Sequence, residues 1–400
     1  MAVMVTAVVA TTAAASATAS LIAAGAFGDT HVARWNGDAW SPMGAGTSSV
    51  VNALCLYNGA PVAGGWFSTE GSAENIALWN GTAWTALGPG LQEWVDALTS
   101  YGANLVAGGY IRGTADDSVE LAYIAQWNGT AWSALGTGMN SNVYALTVYD
   151  GSLIAGGSFS IAGGVSVSKV ARWDGVSWSA LGSGVSDGYV YALTSYNGSL
   201  IAGGDFAGVD GVWIGCIAQW NGTWNKMGSG LTSSLVLSLV VFNGEVVAGG
   251  DINESGGERI DGIARWDANL SVWVGIGGGT DRRVNALATY NGALVAGGDF
   301  TTAGGVSANR VAQWNGTWSP LASGFTSTVL ALLDDKGESP TQPPSTTPPP
   351  PTATSPPTDP PTTSPPTSTS HGVVVVPMPT DRMNLTSVLR RGRAYLPRAQ

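Results

Sequence analysis

The chain is short of the side chains from which most catalytic and metal centres are assembled. Only two histidines, His31 and His371, and two cysteines, Cys55 and Cys216, occur in 400 residues. A zinc or copper site needs several nitrogen or sulfur ligands converging on one point, and this inventory does not supply them. A Ser-His-Asp arrangement would rest on His31 alone. The two cysteines make no disulfide framework and are expected as separate buried thiols. Charge is scarce too, at 11% of residues against 44% apolar, so Ser, Thr, Asn and Gly must cover the surface, as is common outside cells. What charge there is has one sign. Residues 1 to 338 carry 11 Lys and Arg against 25 Asp and Glu, a net of −14, which argues against nucleic acid and anionic membrane as partners. No segment has the length and apolarity of a transmembrane helix. Stretches of ten residues without Gly, Pro or a turn pair are rare, so there is nowhere to lay an amphipathic helix of three turns.

What is present is a repeat. Its clearest copy is "VYALTSYNGSLIAGGDF" (190 to 206) continuing to "CIAQWNGTWNKMGSG" (216 to 230). The tryptophan that opens each turn signal recurs at Trp35, Trp79, Trp127, Trp173, Trp220, Trp266 and Trp314, a period of 44 to 48 residues. That period suits propeller blades or helical-pair solenoids, and the punctuation decides between them. Asn-Gly or Asp-Gly falls twice per unit between short runs rich in Val, Ile, Leu, Tyr and Trp, and such pairs favour type I′ hairpin turns. Each unit therefore reads as four strands, in the example 190 to 196, 200 to 206, 216 to 220 and 224 to 228. Seven such sheets predict an all-β, seven-bladed β-propeller of four-stranded antiparallel blades. The double glycine at Gly203-Gly204 and its counterparts is expected to admit a large aromatic side chain of the neighbouring blade, with the Trp pairs as the obvious partner.

The order of strand, turn, "AGG", variable loop, aromatic, turn and Trp resembles the kelch repeat, "LIAGGDF" standing at its double Gly and "ARWDGVSW" (171 to 178) at its aromatic and Trp. The likeness covers about residues 21 to 335 and departs from kelch in carrying Trp, not Tyr, before the turn. A closer likeness is to the "WNGTAWSALGSG" repeats of bacterial surface proteins and fungal cortical landmark proteins. The resemblance implies a propeller used for binding or display, not an enzyme. Galactose-oxidase-like propellers share the kelch repeat, but the Cys-Tyr cross-link and two His of their copper centre have no counterparts here.

The ends predict how the ring closes. The chain enters at "LIAAGAF" (21 to 27), a second strand, and leaves at "VLALLDD" (329 to 335), a first strand. Together they make one blade, latching the ring shut. A rival arrangement takes residues 5 to 15 as the missing first strand and leaves 329 to 335 as the stub of an eighth blade. Residues 1 to 20 read as a leader with a signal-peptide-like cleavage position after Ala19, although its positive n-region is missing. The propeller is assigned to 21 to 338 and is expected to be monomeric. Residues 339 to 371 form a Pro/Thr/Ser-rich stretch, with thirteen prolines between Pro340 and Pro366, expected to be disordered, extended in polyproline II and suited to O-glycosylation. Residues 372 to 400 are a short basic tail. Asn-x-Ser/Thr sequons occur at Asn80, Asn128, Asn197, Asn221, Asn253, Asn269, Asn315 and Asn384, several being turn residues first.

Because successive strands alternate in direction, both tight turns of a blade lie on one face, and the loop after "AGG" and the blade-to-blade loop lie on the other. The long-loop face is expected to hold most of the acidic residues. Asp205, Asp251 and Asp299 recur in register after the double Gly, where Trp66, Tyr110 and Ser158 stand in other blades. They are candidate binding residues together with Asp281, Arg282 and Arg283, either as a carboxylate ring for calcium or a cationic partner, or as caps of the following loop. The polar residue before each Trp (Arg34, Gln126, Arg172, Gln219, Arg265, Gln313) suggests a blade-to-blade hydrogen bond. The sequence thus points to an extracellular or cell-surface module that binds protein or glycan through its acidic face. A carboxylate-based glycan-active enzyme on the same scaffold and an intracellular kelch adaptor are the alternatives.

Overall fold

The computed structural model describes residues 20 to 335 apart from 71, 72, 210 and 233. The expected leader, stalk and tail lie outside the described residues. The described chain is all-β and folds into seven sheets of four antiparallel strands, labelled a to d from the axis outward. In blade 5 these are Val190–Tyr196, Ser199–Gly204, Ile217–Trp220 and Trp224–Lys226, so the repeat parses into strands within a residue or two of its reading. Strand a of each blade lies against strand a of the next around a full circle.

The circle is closed by the two ends of the array. Ser20–Gly25 is strand b of blade 1 and pairs with Val329–Asp335, its strand a, from Ser20 opposite Asp335 to Gly25 opposite Val329. The Arg34 guanidinium donates to Asp335 Oδ2 at 3.0 Å and the Ser20 hydroxyl to the same oxygen at 3.4 Å. There are seven blades, and the eighth-blade arrangement is excluded.

The turns are of two kinds, which corrects the type I′ reading of both. Between strands a and b the pairs are left-handed at both residues, as at Asn197 (φ 46°) and Gly198 (φ 74°), which is the I′ geometry. Between strands c and d only the glycine is left-handed in six blades, and in blade 6 Ser271 (φ 54°) takes that place. There the Asn side chain closes the turn instead, Asn80 Oδ1 accepting from the Thr82 and Ala83 amides at 3.0 and 2.9 Å, a local side-chain-to-backbone turn.

Packing between blades corrects two further expectations. The double glycine does not receive tryptophan. A Cβ on Gly203 would lie 2.4 Å from Val236 Cγ1 in strand a of the next blade, and one on Gly204 would meet the Tyr189 carbonyl of its own blade. The first Trp of blades 2 to 7 instead covers a later glycine of the preceding blade, Gly44, Gly88, Gly136, Gly182, Gly228 and Gly277, where an added Cβ would fall 2.0 to 3.3 Å from the ring. The polar residue before Trp bonds within its own blade, Arg172 to Ser152 Oγ, Gln219 to Ser199 Oγ and Arg265 to Glu245 Oε1, each at 2.9 Å. The blade-to-blade hydrogen bond comes from the second Trp, whose indole N–H donates to a carbonyl of the preceding blade in six of seven blades, as Trp132 does to Leu87 at 2.8 Å. Trp273 is the exception, its buried indole nitrogen having no partner. Cys55 and Cys216 are separate buried thiols, as expected.

One junction departs from the glycine rule. Where six blades have a left-handed glycine, the exit of blade 7 has Ala322 at φ 52°, and a cavity of about 250 Å³ opens beside it between Trp35, Tyr290 and Leu321. Two outcomes follow. Ala322→Gly relieves a left-handed alanine and raises stability by about 0.5 to 1 kcal/mol, roughly 2 °C in Tm. Trp132→Phe loses a buried hydrogen bond and costs about 1 to 2 kcal/mol, whereas Trp273→Phe, which removes a donor without an acceptor, costs less than half as much. Thermal melts of the three variants check both, and equal losses at Trp132 and Trp273 contradict the indole assignment.

Candidate functional site

Strand a begins Val-x-Ala-Leu in most blades, and the x position is where the repeat stops repeating. In every blade the register shifts across this residue, giving a β-bulge at Asn52, Asp96, Tyr144, Tyr191, Leu237, Asn285 and Leu330. A bulge re-aims the extra side chain. Here the bulged residues line the mouth of the axial channel on the long-loop face, above a ring of seven leucines, Leu54, Leu98, Leu146, Leu193, Leu239, Leu287 and Leu332. The cavity within is about 230 Å³.

Aromatic and acidic groups divide the surroundings of this mouth. On blades 2 and 3, Trp66 and Trp94 are 56% and 41% exposed with centroids 5.9 Å apart, and Tyr110 packs edge-on to Tyr123 with the Arg112 guanidinium over its ring. On blades 4 and 5, Tyr144 stacks on Tyr191 at 5.1 Å while the exposed Tyr189 stands edge-on to both at 6.3 Å. Lys169 Nζ lies 5.6 Å from the Tyr189 ring. Trp66, at the position after the double Gly, is the counterpart of Asp205, Asp251 and Asp299, so the same register position is aromatic on one side and carboxylate on the other.

Asp96 is the single charged side chain among the residues lining the channel. It accepts a hydrogen bond from Asn52 Nδ2 at 3.0 Å. Burial pushes its carboxyl up to about 6, against the pull of the Asn52 amide. The Tyr144 hydroxyl is also raised, first by burial and further by the Asp96 charge, with hydrogen bonds to Ser158 and Asn142 opposing. A perturbed carboxyl recessed in a cleft marks a candidate site.

The residues singled out in the sequence fare differently. Asp205 Oδ1 accepts from the Tyr189 amide at 2.6 Å, Asp299 Oδ1 from the Thr328 hydroxyl at 2.6 Å, and Asp251 faces Arg283 at 3.8 Å. They serve three separate local contacts, none of them with an amide of the loop that follows. Among the described residues no group of three or more His, Cys, Asp or Glu side chains is placed to hold a metal ion, so the carboxylate ring for calcium does not assemble. Asp281 clamps the b–c loop, accepting from the Thr301 and Thr302 amides at 2.7 and 2.8 Å and from the Thr301 hydroxyl at 2.7 Å. Burial would raise its carboxyl, but these bonds hold it below its ordinary value. Asn140 clamps blade 4 in the same way. Arg282 is exposed. The guanidinium of Arg283 keeps a buried Nε without a hydrogen bond.

The bulge ring escaped the reading of the sequence, which searched the loops for acids. Its signal was there: x is the variable letter inside an otherwise constant word.

No known family profile matches the chain, and no curated protein matches it. Among solved structures it is similar to the computationally designed protein Ika8, at 20% identity over 78% of this chain and 90% of that one with a TM-score of 0.48. It is also similar to the extracellular domain of BT4673 from B. thetaiotaomicron, at 10% identity over 70% of this chain and 37% of that one (TM-score 0.47). A third likeness is to the WD40 β-propeller domain of Doa1, at 15% identity over 70% and 85% (TM-score 0.44).

The raised Asp96 carboxyl has a measurable consequence. A carboxyl whose folded pKa lies above its unfolded value of about 3.9 binds its proton more tightly when folded, so its contribution is present in acid and lost as pH rises towards 6. Asp96→Asn, which keeps the Asn52 contact and cannot ionise, is therefore more stable than wild type at about pH 7 by on the order of 1 to 2 kcal/mol, and the gap narrows at about pH 4. Melting curves at the two pH values check this, and a gap that widens in acid contradicts the assignment.

Proposed function

We propose that the chain is an exported, non-catalytic binding propeller that recognises glycan at the mouth of its axial channel on the long-loop face. The observation that carries this reading is the aromatic arc of Trp66, Trp94, Tyr110, Tyr144, Tyr189 and Tyr191. Large aromatic rings belong in the core, and two tryptophans held side by side at the surface need a reason. Flat rings flanking a small polar cavity offer the stacking faces and few placed hydrogen-bonding groups of a ligand site. The kelch-like wording of the repeats, the sparing use of Lys and Glu, and the Pro/Thr-rich stretch after the ring support display outside the cell.

Binding is favoured over hydrolysis by the company Asp96 keeps. Glycosidases of the usual kind set two carboxyl groups about 5 to 10 Å apart across the scissile bond, and the channel lining offers Asp96 and no second acid. Asp205, Asp299 and Asp251, outside it, are held in local contacts with Tyr189, Thr328 and Arg283.

The test is a glycan array probed with the full chain beside a Trp66→Ala/Trp94→Ala variant, with a partner-protein pull-down in parallel. Trp66 is 56% and Trp94 41% exposed, and melting curves of the variant separate lost binding from lost folding. Signal on a coherent set of glycans that drops about tenfold or more in the variant is expected, each lost stacking contact being worth about 0.5 to 1.5 kcal/mol. An empty array together with a specific protein captured through the same tryptophans would replace glycan by protein as the ligand.

A further inference from the structure

Asp96 is a carboxylate that the fold places in the channel and gives no counter-ion. Its one hydrogen bond comes from a neutral amide, and it forms none of the ion pairs found among the described residues. The two cations beside the aromatic arc are engaged elsewhere, Arg112 over the Tyr110 ring and bonded to its hydroxyl, and Lys169 with its Nζ donating to the Ser158 carbonyl at 3.0 Å beside the Tyr189 ring. A charge withdrawn from water without a partner is costly, and the negative field of the surrounding domain adds to the cost while drawing cations towards the mouth. Next to this carboxylate stand the stacked rings of Tyr144 and Tyr191. Their faces attract an ammonium group, more strongly where water is thin. The remaining lining is Asn, Ser, Ala and Leu, which neither competes for a cation nor repels it.

We infer that the channel mouth takes the ammonium group of a glycan bearing free amines, an amino sugar of the glucosamine kind, with Asp96 as its counter-ion and Tyr144 and Tyr191 as the rings beside it. This deepens, and rests on, the reading of the long-loop face as a glycan site. The aromatic arc takes the apolar faces of neighbouring sugar rings. Asp96 selects the amine, because an N-acetyl group carries no charge to answer the carboxylate and an acidic sugar is repelled. A cavity of about 230 Å³ holds one sugar unit, the rest of the chain running over Trp66 and Trp94.

Selection of this kind depends on pH, with a sign set by the carboxyl. The ionisable side chains on the strands flanking Asp96 are Cys55 and Tyr57 in strand a of blade 2 and Tyr144 and Tyr149 in strand a of blade 4. Tyr101 lies on its own strand and Tyr189 just before strand a of blade 5. Burial pushes the Cys55 thiol up to about 12 and raises the Tyr144 hydroxyl, so the protein charge that changes at the mouth is that of Asp96. Protonation cancels the attraction, and affinity for the amine falls as pH drops through about 6.

The experiment is calorimetric titration of the full chain at about pH 7 with the β-1,4-linked hexamer of glucosamine and, separately, with its fully N-acetylated form. The glucosamine hexamer is expected to bind at least tenfold more tightly than the acetylated one. Asp96→Asn is expected to erase that preference while melting at a higher temperature than wild type, which separates lost recognition from lost folding. The ratio of wild-type to Asp96→Asn affinity for the glucosamine hexamer, which cancels the titration of the ligand's own amines, should fall several-fold between about pH 7 and pH 5. Equal binding of the two hexamers, or a preference that survives Asp96→Asn, overturns the inference. If neither hexamer binds while the array retains glycan signal dependent on Trp66 and Trp94, the amine falls and the glycan site stands. If nothing binds either way, both fall.

Discussion

The contact on which the rest of the molecule depends is a valine set against a bare backbone. In six blades the first glycine of the pair in strand b faces the leading valine of the next strand a, so closely that a Cβ added there would come within 2.4 to 2.7 Å of the valine Cγ1. Blade 1 has Ala24 at the same position. This approach draws the inner strands together and sets the width of the channel. The second glycine does a different task, allowing strand b to pass the carbonyl that the bulge of strand a pushes towards it, as at Gly204 and Tyr189. The double glycine and the bulge are therefore one device. It brings blades close and turns one side chain per blade into the mouth.

The outer half of each blade is fixed separately. A tilted Trp pair with centroids 5.3 to 5.4 Å apart recurs in all seven blades, the first ring covering a glycine of the blade before and the second handing its N–H to that blade's backbone. Buried Trp is tolerated because its polar atom finds an acceptor, and Trp273 and Ala322 show what happens where one half of this arrangement is missing. Stability thus comes from nearest-neighbour contacts repeated around a circle, which end-to-end pairing of Ser20–Gly25 with Val329–Asp335 makes continuous. All seven blade-to-blade junctions are covalently continuous, and the seam is completed inside blade 1 rather than between blades.

That division explains what was legible. Strand number, blade number, turn positions and the closing pair could be read because they follow from local rules, hairpin dipeptides and a word repeated seven times. The double glycine meets the next blade's valine and the residue before Trp bonds within its own sheet, neither of them as expected, because a sequence repeat carries no statement of which neighbour a residue touches. The b–c ribbons, such as Thr302–Ala303 with Val306–Ser307, were invisible for another reason: two-residue strands leave no periodicity. Asp205, Asp251 and Asp299 drew attention by recurring, yet regular recurrence is what a structural role produces. Asp96 occurs once.

A side chain that breaks the symmetry of a repeat at some cost to the fold asks for a compensating role, and Asp96 is such a residue. Other blades place Asn, Tyr or Leu at its position, all of them tolerated uncharged at the channel wall. Exchanging the carboxylate for an amide would retain the bond to Asn52 and remove a charge that burial penalises. Natural sequences keep such residues where function needs the strain. The same reasoning applies to Trp66 and Trp94, whose exposed rings add nothing to a core already filled by the paired tryptophans. Both departures from the repeat sit on the long-loop face around one opening, and the proposed site rests on this coincidence more than on any single residue.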